Sequence, residues 1–494
     1  MPSASYPKRF LAFDLGAESG RALLAQLQSG VITVEEVHRF SNDPVEYGGS
    51  LHWDTPRLWF QMRRALASVD SRIPASLGVD AWGVDYALLG DDGELLQNPY
   101  HYRDRRTEGV MEEVFRAVAK EEIYCATGIQ FMPINTIYQL VAAQRETPSI
   151  LAAAKKLVTI PDLFNYWLTG NAFCEFTNAT TTQLVNPSTR AWDKDLIHRL
   201  RLPPDLLAPI VEPGTTVGTL LPSIVHPSLA GIPVIAPACH DTGSAVAAIT
   251  ARDGTAFLSS GTWSLIGTEL DAPVITPLAQ KLNFTNEGGV NGTTRLLKNV
   301  MGLWMLQACR SHWDSQGHRA DYRELMELAN PEPAFAHLVN PDDCTFLRAV
   351  DMPAAIDDFC VRTHQPSPRT QGAYVRCVLE SLALKYRVVL GSLEQLCGRR
   401  MEQIRVIGGG SKNRLLNQFT ADATGRKVLA GPAEATALGN IGIQILATGE
   451  ASSLDDVRAI IDRSFPTEVF EPADTDNWER QTERFDQYCG MIHA

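Results

Sequence analysis

FLAFDLGAESGRALLAQL, residues 10–27, is the stretch of sequence that decides the fold. Two apolar runs flank a turn that contains Gly16 and Gly20, a pattern that predicts two strands joined by a glycine-rich turn. A further strand is predicted at residues 31–40, after Ser29 and Gly30, so that the chain begins with an antiparallel meander. Because glycine has no Cβ, the backbone N–H groups of such a turn can approach phosphate oxygens closely.

Two more glycine-containing turns follow strand-like runs farther along the chain. One is SSGT at residues 259–262, and the other is GGG at residues 408–410, which precedes a predicted helix. Three such turns in one chain indicate a nucleoside triphosphate as the ligand. Between the first and the second turn lies HDTG, residues 240–243, whose Asp241 supplies a carboxylate near the predicted phosphate site. This combination indicates phosphoryl transfer to a small acceptor.

The composition limits the classes of protein to which the chain can belong. A chain of 494 residues with 45% hydrophobic residues is too long for one ordinary core, and its two halves share a layout of strands, a turn and helices. We therefore expect a duplicated α/β fold with domains at residues 1–248 and 249–494. The net charge of −13 argues against nucleic acid and anionic membranes as partners.

The cysteines and the apolar runs predict the compartment. Nine cysteines are scattered without a C-x-x-C pair, which argues against a zinc ribbon or a disulfide scaffold and favours a reducing cytoplasm. The apolar run before Asp14 is too short for a secretory signal, and none approaches the roughly 18 residues that span a bilayer. We expect a soluble cytoplasmic protein, and the sequence leaves monomer or homodimer open.

Periodicity and capping signals predict further elements. Asp54, Thr55 and Pro56 have the pattern of a helix start, with a cap and a proline in the first turn. A single strand is predicted at residues 77–89, and the charged run at residues 103–106 is expected to be a solvated surface. The remaining helices are predicted at residues 303–312, 374–396, 412–424, 434–445 and 478–488, with strands at 404–407 and 427–430.

Several motifs form a set that runs in order along most of the chain. They are DLGAESGR (14–21), DAWGVDYALL (80–89), YRDRRT (102–107), GIQFMPINTIYQL (128–140), TNATTTQLVN (177–186), HDTGSAV (240–246), SSGTWSL (259–265), NEGG (286–289), LKNVMGLW (297–304), GGGSKNRLLNQ (408–418) and GPAEATALGNIGIQ (431–444). This set resembles the FGGY carbohydrate kinases, in the branch that phosphorylates deoxy-ketohexoses.

The resemblance implies a fold, a reaction and a metal. The implied fold is the two-domain α/β architecture of hexokinase, actin and heat-shock-70 proteins, with duplicated ribonuclease H-like domains and an interdomain cleft. The implied reaction is ATP-dependent phosphorylation of the 1-hydroxyl of L-rhamnulose to give L-rhamnulose 1-phosphate and ADP, with Mg²⁺. The N-terminal domain would hold the sugar and the general base, and the C-terminal domain would hold the nucleotide.

The resemblance also implies roles for individual residues, through their positions in the motifs. Asp241 matches the general base, and Asp14 matches a position suited to Mg²⁺. The positions that match sugar contacts are Gly83, His240, Asp241, Thr242 and Asn299. The positions that match nucleotide contacts are Ala17, Glu18, Ser19, Gly20, Arg21, Thr262, Gln307 and Gly409.

Several of these residues can instead have a structural role. Asp14 can cap its own glycine turn, and Asn299 can cap the helix that contains Gln307. Gly83 lies in a predicted strand, where a missing side chain leaves room for a ligand or for another backbone segment. Glu18 departs from the usual pattern, because a carboxylate beside a triphosphate is unfavourable unless it points away or faces the metal.

Three other functions compete with this one. The closest is an FGGY kinase for another ketose or polyol, such as L-fuculose, xylulose, ribulose or glycerol, since these enzymes share the phosphate apparatus. The second is a non-enzymatic, actin-like nucleotide sensor, against which a base at Asp241 argues. The third is a metal phosphohydrolase at His240 and Asp241, which would need further metal ligands on helices.

Overall fold

The structure is a computed structural model, and it describes residues 7–347 and 349–490. The described chain divides into two compact units. The first unit comprises the chain up to Thr250 together with Glu269–Leu296 and Glu434–Pro466. The second comprises Ala251–Thr268, Leu297–Ala433 and the chain from Thr467 onward. These units differ from the predicted halves, which divide the chain only once, at residues 248 and 249.

The chain up to residue 250 supplies most of the first unit. Its strands are β1 (Lys8–Leu15), β2 (Ser19–Gln28), β3 (Val31–Ser41), β4 (Val45–Tyr47), β5 (Ser50–His52), β6 (Ser76–Ala81), β7 (Tyr86–Leu89), β8 (Lys156–Thr159), β9 (Cys174–Glu175), β10 (Val185–Asn186), β11 (Ala191–Trp192), β12 (Ile210–Val211), β13 (Thr216–Thr219) and β14 (Pro233–Ile235). Its helices are α1 (Thr55–Ser68), α2 (Val110–Ala117), α3 (Lys120–Thr127), α4 (Thr136–Glu146), α5 (Pro148–Ala153), α6 (Ile160–Thr169), α7 (Phe176–Ala179), α8 (Lys194–Arg199) and α9 (Asp241–Ala247).

The central sheet of the first unit has six strands in the order β13-β14-β6-β1-β2-β3. β2 pairs antiparallel with both β1 and β3, which confirms the predicted meander at the start of the chain. β6 pairs parallel with both β1 and β14. Leu15 lies opposite Ala81, and Ala81 forms a parallel bridge with His240, so the carboxyl ends of these three strands meet at one edge of the sheet.

The rest of the chain continues with seven strands and ten helices among its described residues. The strands are β15 (Thr255–Ser260), β16 (Trp263–Leu270), β17 (Thr285–Gly288), β18 (Thr294–Met301), β19 (Gln403–Ile407), β20 (Lys427–Ala430) and β21 (Glu468–Phe470). The helices are α10 (Pro277–Lys281), α11 (Trp304–Ser315), α12 (Tyr322–Ala329), α13 (Cys344–Leu347), α14 (Met352–Arg362), α15 (Gln371–Cys397), α16 (Arg414–Thr424), α17 (Ala435–Ala447), α18 (Leu454–Ser464) and α19 (Thr475–Gly490).

These strands form a second sheet in the order β17-β18-β16-β15-β19-β20-β21. β15 and β16 form the antiparallel hairpin that the SSGT turn predicts, and the Gly261 N–H donates to the Trp263 carbonyl at 2.9 Å. β19 pairs parallel with both β15 and β20. The two sheets therefore share one arrangement. In each, the first strand of an antiparallel hairpin also pairs with a parallel strand: β1 pairs with β6, and β15 pairs with β19.

Helix α17 explains why the compact units are not continuous halves. Its Asn440 Nδ2 donates to Asp80 Oδ2 at 2.6 Å. Its Gln444 accepts the Ser76 hydroxyl at 2.8 Å and donates to the Leu11 carbonyl at 3.1 Å. The helix thus packs on β1 and β6 of the first unit, although it follows β20 in the chain. The sequence shows an apolar helix here but not the sheet that receives it.

The single strand predicted at residues 77–89 is wrong, because the structure has β6 and β7 separated by a sharp turn at residues 82–85. Val84 has a φ of 65° in this turn, and the Asp85 N–H donates to the Gly83 carbonyl at 2.9 Å. β7 then pairs with β8 instead of joining the central sheet. A β-branched residue rarely adopts positive φ, so the composition of this stretch conceals the turn.

The predicted helices agree with the structure to within a few residues. α1 follows Asp54, whose side chain accepts the Arg57 N–H at 3.1 Å, and Pro56 lies in its first turn. α11, α15, α16, α17 and α19 correspond to the other five predicted helices, whereas α2–α10, α12–α14 and α18 lie outside the predictions. Each helix in the described part of the chain is too short or too polar to span a bilayer.

The charged run at residues 103–106 is solvated only in part: Arg105 is exposed and Arg103 is half-buried, but the expectation is wrong for the other two residues. Asp104 and Arg106 are both 7% exposed. Asp104 Oδ2 accepts the Leu51 N–H at 2.7 Å, and Arg106 Nη2 donates to Gln139 Oε1 at 2.7 Å. The Arg106 guanidinium also lies 3.7 Å from the centre of the Tyr100 ring. Two of these partners, Leu51 and Gln139, are distant in sequence, so composition alone cannot reveal them.

Candidate functional site

Titratable side chains gather at the carboxyl edge of the central sheet in the first unit. Asp14 lies on β1, its register partner Asp80 lies on β6, and His240 forms its bridge with Ala81 beside them. Asp14 is 6% exposed, and Asp80 is fully buried. Open α/β sheets bind ligands outside the carboxyl ends of their parallel strands. This edge is therefore the candidate site of the first unit.

Asp241 is the first residue of α9, and its side chain is 29% exposed. Oδ1 accepts the Thr242 hydroxyl at 3.0 Å and also the Thr242 backbone N–H. Oδ2 has no hydrogen-bond donor among the described residues, so it is the oxygen open to a substrate. Burial raises the pKa of Asp241, His240 opposes this rise, and Asp14 adds to it. A carboxylate with a raised pKa at a partly open position is suited to accept a proton.

A buried carboxylate that the sequence analysis missed fixes the backbone before Asp241. Glu175 Oε2 accepts the Cys239 N–H at 2.9 Å and the Thr177 hydroxyl at 2.6 Å. The same Thr177 oxygen accepts the His240 N–H at 3.1 Å. Burial raises the pKa of Glu175 to about 8. Glu175 and Thr177 thus tie the start of α9 to α7. Thr177 belongs to the quoted TNATTTQLVN motif, but nothing near Glu175 in the sequence marks it.

His240 contacts two more buried side chains that the sequence analysis missed. Its Nε2 lies 3.5 Å from Asp241 Oδ1, while its Nδ1 lies 3.2 Å from Arg295 Nη2 and 3.2 Å from Glu287 Oε2. Burial lowers the pKa of Arg295, and the Glu287 carboxylate opposes this. Glu287 belongs to the quoted NEGG motif, whereas Arg295 lies outside every motif and carries no sequence signal.

The first glycine turn is closed by its own backbone and by an ion pair. The Gly16 N–H donates to the Ser19 carbonyl at 3.0 Å. Arg21 donates to Asp14 Oδ2 from Nε at 2.9 Å and from Nη2 at 2.7 Å, and its other terminal nitrogen pairs with Glu434. Two carboxylates therefore engage the guanidinium of Arg21, a residue predicted to contact the nucleotide.

Ala17 and Glu18 form the tip of this turn, and the Glu18 side chain is exposed. The Glu18 carbonyl accepts the Asn42 N–H at 2.9 Å, which attaches the turn to the segment after β3. A Cβ at Gly20 would lie 2.3 Å from the Phe40 ring. Gly20 therefore has a packing role whichever ligand the turn binds.

Gly83 lies in the sharp turn between β6 and β7. A Cβ there would lie 3.0 Å from the side chain of Thr181, whose hydroxyl accepts the Val84 N–H at 2.9 Å. The glycine thus admits a neighbouring side chain, a role that the sequence does not reveal. Trp82 is buried, and Asp85 Oδ2 accepts its indole N–H at 2.9 Å. Burial raises the pKa of Asp85 to about 6.

One carboxylate oxygen of Asp80 has no hydrogen-bond partner in the part of the chain that the structure describes. Its Oδ2 accepts the Asn440 amide, but Oδ1 is buried and has no hydrogen-bond partner within the described residues. Burial raises the pKa of Asp80, and the negative charge of Asp14 raises it further. A group in this state either keeps its proton or interacts with a cation.

The second unit contains a pocket of about 1020 Å³ beside the second and third glycine turns. Gln307 and Gly409, for which nucleotide contacts are predicted, line it together with Gly261 and Gly410. Oε1 of Gln307 is buried and finds no hydrogen-bond partner in the described chain. The apolar part of the wall consists of Leu303, Leu306, Met326, Leu415 and Phe470. Small-molecule sites have this combination of volume, apolar walls and a few polar groups.

Two further predicted residues lie in the second unit. Thr262 lies at the tip of the β15–β16 hairpin, where its carbonyl accepts the N–H groups of Gly302 and Trp304, each at 3.1 Å. Asn299 lies inside β18, and Leu303 is the residue that precedes α11. The alternative that Asn299 caps this helix is therefore wrong.

The predicted site residues divide between the two units. The first unit holds Asp14, Ala17, Glu18, Ser19, Gly20, Arg21, Gly83, His240, Asp241 and Thr242. The second unit holds Thr262, Asn299, Gln307 and Gly409. Apart from Asn299, every sugar position thus lies in the first unit, and the nucleotide positions lie in both.

Two family models match the chain over most of its length. The model of the N-terminal domain of the FGGY family of carbohydrate kinases matches residues 9–248. The model of the C-terminal domain of the same family matches residues 256–448. Solved kinases also share the fold: the ligand-bound xylulose kinase from Lactobacillus acidophilus has a TM-score of 0.79 at 18% identity, with 98% of each chain covered. The Plasmodium falciparum glycerol kinase with ADP has a TM-score of 0.77 at 17% identity, with 99% of each chain covered.

Curated relatives narrow the family further. The chain is 46% identical to the rhamnulokinase of Bacteroides thetaiotaomicron, over 96% of this chain and 97% of that protein. It is 44% identical to the rhamnulokinase of Pectobacterium atrosepticum, over 96% of each, and 40% identical to that of Bacillus subtilis, over 94% and 96%. The predicted two-domain kinase fold is confirmed, and the chain belongs to the FGGY family of carbohydrate kinases and, within it, to the rhamnulokinases.

Proposed function

We propose that this protein transfers the terminal phosphoryl group of ATP to the 1-hydroxyl of L-rhamnulose, which gives L-rhamnulose 1-phosphate and ADP. The observation that carries the proposal is the Asp241 carboxylate, which lies at the carboxyl edge of the central sheet with Oδ1 held by Thr242 and Oδ2 open. Three curated relatives that match 94–96% of the chain at 40–46% identity are rhamnulokinases, which supports the choice of sugar.

Asp241 acts as the general base in this reaction. The transition state of phosphoryl transfer is loose, so the enzyme mainly aligns the reactants and accepts the hydroxyl proton late. Oδ2 takes the proton of the attacking hydroxyl while Thr242 keeps the carboxylate plane in place through Oδ1. The raised pKa of Asp241 brings its basicity closer to the working pH, which improves proton transfer.

His240, Thr242, Gly83 and Asn299 contact the ketose. His240 and Thr242 flank Asp241, so hydroxyls that they bind lie near the reacting oxygen. The Gly83 turn supplies backbone groups without a side chain in the way. Buried polar side chains that bind a substrate hydroxyl reject analogues that lack it, which is the source of sugar specificity.

ATP binds in the pocket of the second unit. Gly409 and Gly410 line the pocket without a Cβ, so a phosphate can approach their backbone N–H groups, and the apolar wall suits a purine base. The unsatisfied Oε1 of Gln307 fits a ligand that carries an N–H or O–H donor. The family resemblance also implies nucleotide contacts for a further set of residues, Ala17, Glu18, Ser19, Gly20, Arg21 and Thr262.

The residues of the first unit fit a magnesium ion that arrives with the nucleotide. Mg²⁺ is usually bound through one or two carboxylates, phosphate oxygens and water, and Asp14 and the unsatisfied oxygen of Asp80 provide such oxygens. No group of three or more His, Cys, Asp or Glu side chains is arranged to bind a metal among residues 7–347 and 349–490. Asp14 would therefore hold the ion only together with the phosphates, whose negative charge the ion would neutralise.

The cytoplasm is the compartment that we propose for this reaction. The cysteines at positions 125, 174, 239, 309, 344, 360, 377, 397 and 489 are all free, as in a reducing environment. The proposed phosphoryl donor, ATP, is also available in the cytoplasm.

A coupled assay of ADP release tests the proposed function against its rivals. L-Rhamnulose, L-fuculose, D-xylulose, L-ribulose and glycerol are compared at fixed ATP, with a sample without sugar to measure background hydrolysis. We expect the highest kcat/KM for L-rhamnulose, by about 10-fold or more, which corresponds to one well-placed hydrogen bond. A different preferred sugar would contradict the substrate, and no sugar-dependent ADP release would contradict the kinase.

A further inference from the structure

The two ring nitrogens of His240 face different groups. Nε2 lies 3.5 Å from Asp241 Oδ1, on the side of the candidate site. Nδ1 lies 3.2 Å from Arg295 Nη2 in hydrogen-bonding geometry, and 3.2 Å from Glu287 Oε2. Arg295 Nη2 and Glu287 Oε2 are themselves 3.2 Å apart. Nδ1 therefore faces a hydrogen-bond donor, Arg295, and an acceptor, Glu287, at the same distance.

Arg295 is fixed in place and fully buried. Its Nε donates to the Gly288 carbonyl at 2.8 Å, on the neighbouring β17. Its Nη1 is a buried donor without a hydrogen-bond partner among the described residues. A buried guanidinium with an unsatisfied Nη1 depends on its remaining partners, because each unmade hydrogen bond of a buried charged group is costly. The bond to His240 Nδ1 is one of the few that Arg295 has.

The chemistry of the two groups decides the direction of that bond. A guanidinium carries five N–H donors and no acceptor, so Nδ1 must be the acceptor. A neutral imidazole has a single N–H, which then lies on Nε2. Glu287 would favour the opposite tautomer, since its carboxylate can only accept a proton that Nδ1 carries.

We propose that Arg295 is a positioning residue that fixes His240 as the Nε2–H tautomer, so that its single N–H lies on the side of Asp241 and can donate to the ketose. This inference rests on the proposed function of Asp241 and His240. The Nε2–H faces Oδ1 of Asp241, the oxygen that Thr242 also holds, and so helps to leave Oδ2 for the reacting hydroxyl. Glu287 balances the buried charge of Arg295.

Nitrogen NMR of the full-length protein tests the tautomer directly. The protein is labelled with ¹⁵N at its 11 histidines, and two-bond ¹H–¹⁵N correlations are recorded at about pH 8, above the ordinary pKa of histidine. A His240→Asn sample identifies the signal of His240. We expect a neutral ring with a protonated Nε2 and an unprotonated Nδ1. A protonated Nδ1, either as the other tautomer or in an imidazolium, would overturn the inference.

Variants then test whether Arg295 is the cause. In Arg295→Met we expect the proton to move to Nδ1, toward Glu287, and the KM for the ketose to rise about 10-fold while that for ATP changes less than about 2-fold. Arg64→Met is the control, because Arg64 is an exposed arginine of the same unit. An Arg295→Met protein that keeps the Nε2–H tautomer would refute the role of Arg295.

A second variant covers the case in which Arg295→Met does not fold. Glu287→Gln keeps the guanidinium and weakens the competing acceptor, so we expect the Nε2–H tautomer to persist. A shift to Nδ1–H in this variant would contradict the inference. The NMR experiment detects the tautomer without any catalytic turnover. A wrong prediction of the tautomer can therefore be distinguished from a wrong proposed function. An Nε2–H tautomer in a protein inactive on L-rhamnulose would refute the function alone, and an active enzyme with Nδ1–H would refute this inference alone.

Discussion

The Asp241 region of the first unit and the pocket of the second unit are built in opposite ways. Around Asp241, the buried side chains of Glu175, Thr177 and Arg295 hold residues 239 and 240, and Thr177 also bonds to Glu175, through hydrogen bonds of 2.6–3.2 Å. The second unit instead has an open pocket of about 1020 Å³ with mainly apolar walls. The first arrangement fixes a few atoms closely, whereas the second provides volume for a large ligand.

This difference separates two tasks of the proposed reaction. Proton acceptance needs one oxygen held within a few tenths of an ångström, and buried hydrogen bonds supply that rigidity. Nucleotide binding needs surface that is removed from water, together with a small number of polar contacts. Substitutions in the first region should therefore change kcat, the KM for the ketose or stability, while those in the second should change the KM for ATP.

The largest effect is expected at the base itself. Asp241→Asn keeps the shape of the side chain but removes its ability to accept a proton. We expect kcat to fall by about 10²–10⁴-fold, with the binding of ATP and ketose retained. Turnover is measured by the coupled ADP assay, and binding by calorimetry. Asp253→Asn is the control, since its side chain is 82% exposed, and it should keep wild-type turnover. An Asp241→Asn enzyme with most of its turnover would show that another group accepts the proton.

The next effect concerns the buried carboxylate behind Asp241. Burial raises the pKa of Glu175 from 4.5 to about 8, so between these pH values the folded protein keeps a proton that the unfolded chain has lost. The folded state binds more protons, and its free energy of unfolding should therefore fall as pH rises through this window, by up to about 1.4 kcal/mol per pH unit.

Glu175→Gln removes this titration, so the stability of the wild type relative to the variant should decline between about pH 4.5 and 8. Urea unfolding at several pH values measures the difference. Glu327→Gln, at the pocket and with a side chain 70% exposed, is the matched control, for which we expect a flat difference. Parallel pH profiles of the wild type and Glu175→Gln would show that Glu175 is ionised in both states.

A smaller effect is expected where α17 supports α9. A Cβ added at Gly439 would lie 1.7 Å from the Ser244 carbonyl oxygen, so the alanine variant must push the two helices apart. We expect Gly439→Ala to lower the free energy of unfolding by about 1–3 kcal/mol. Gly391→Ala is the control in α15, where a Cβ meets nothing within 4 Å, and it should raise stability by up to about 1 kcal/mol. Equal stability of Gly439→Ala and the wild type would mean that α9 is not tightly held.

The smallest effect is expected in the pocket. Gln307→Met keeps the volume of the side chain but removes the amide whose oxygen is unsatisfied. We expect the KM for ATP to rise about 10-fold and the KM for the ketose to change less than about 2-fold, as for the loss of one hydrogen bond. Gln395→Met, at an exposed position of α15, should match the wild type. A rise in the ketose KM instead would place the sugar, and not the nucleotide, at Gln307.

The positions of Asp14 and His240 at the carboxyl edge of the central sheet are accessible from the sequence. Asp14 lies near the end of an apolar strand, His240 follows another, and the carboxyl ends of neighbouring parallel strands lie at the same edge. Glu175, Asp80 and Arg295 could not be recognised in the same way, since their contacts join segments that are far apart in the chain. A buried charged residue looks like a surface residue until its partner is known.

Two parts of the fold escape prediction for related reasons. The turn at Gly83 and Val84 needs a positive φ at a β-branched residue, which local preference argues against. The return of α17 to the first unit depends on Asn440 and Gln444, which bind strands more than 350 residues earlier. The local sequence pattern predicts the helix, but only the folded structure shows that it packs on β1 and β6.

Hydrogen–deuterium exchange with each ligand alone tests the division of tasks most directly. A non-hydrolysable ATP analogue, added without sugar, should slow amide exchange at residues 408–414 of the second unit. L-Rhamnulose, added without nucleotide, should slow exchange at residues 239–243 of the first unit. Protection of residues 408–414 by the ketose, or no protection there by the nucleotide analogue, would contradict the account.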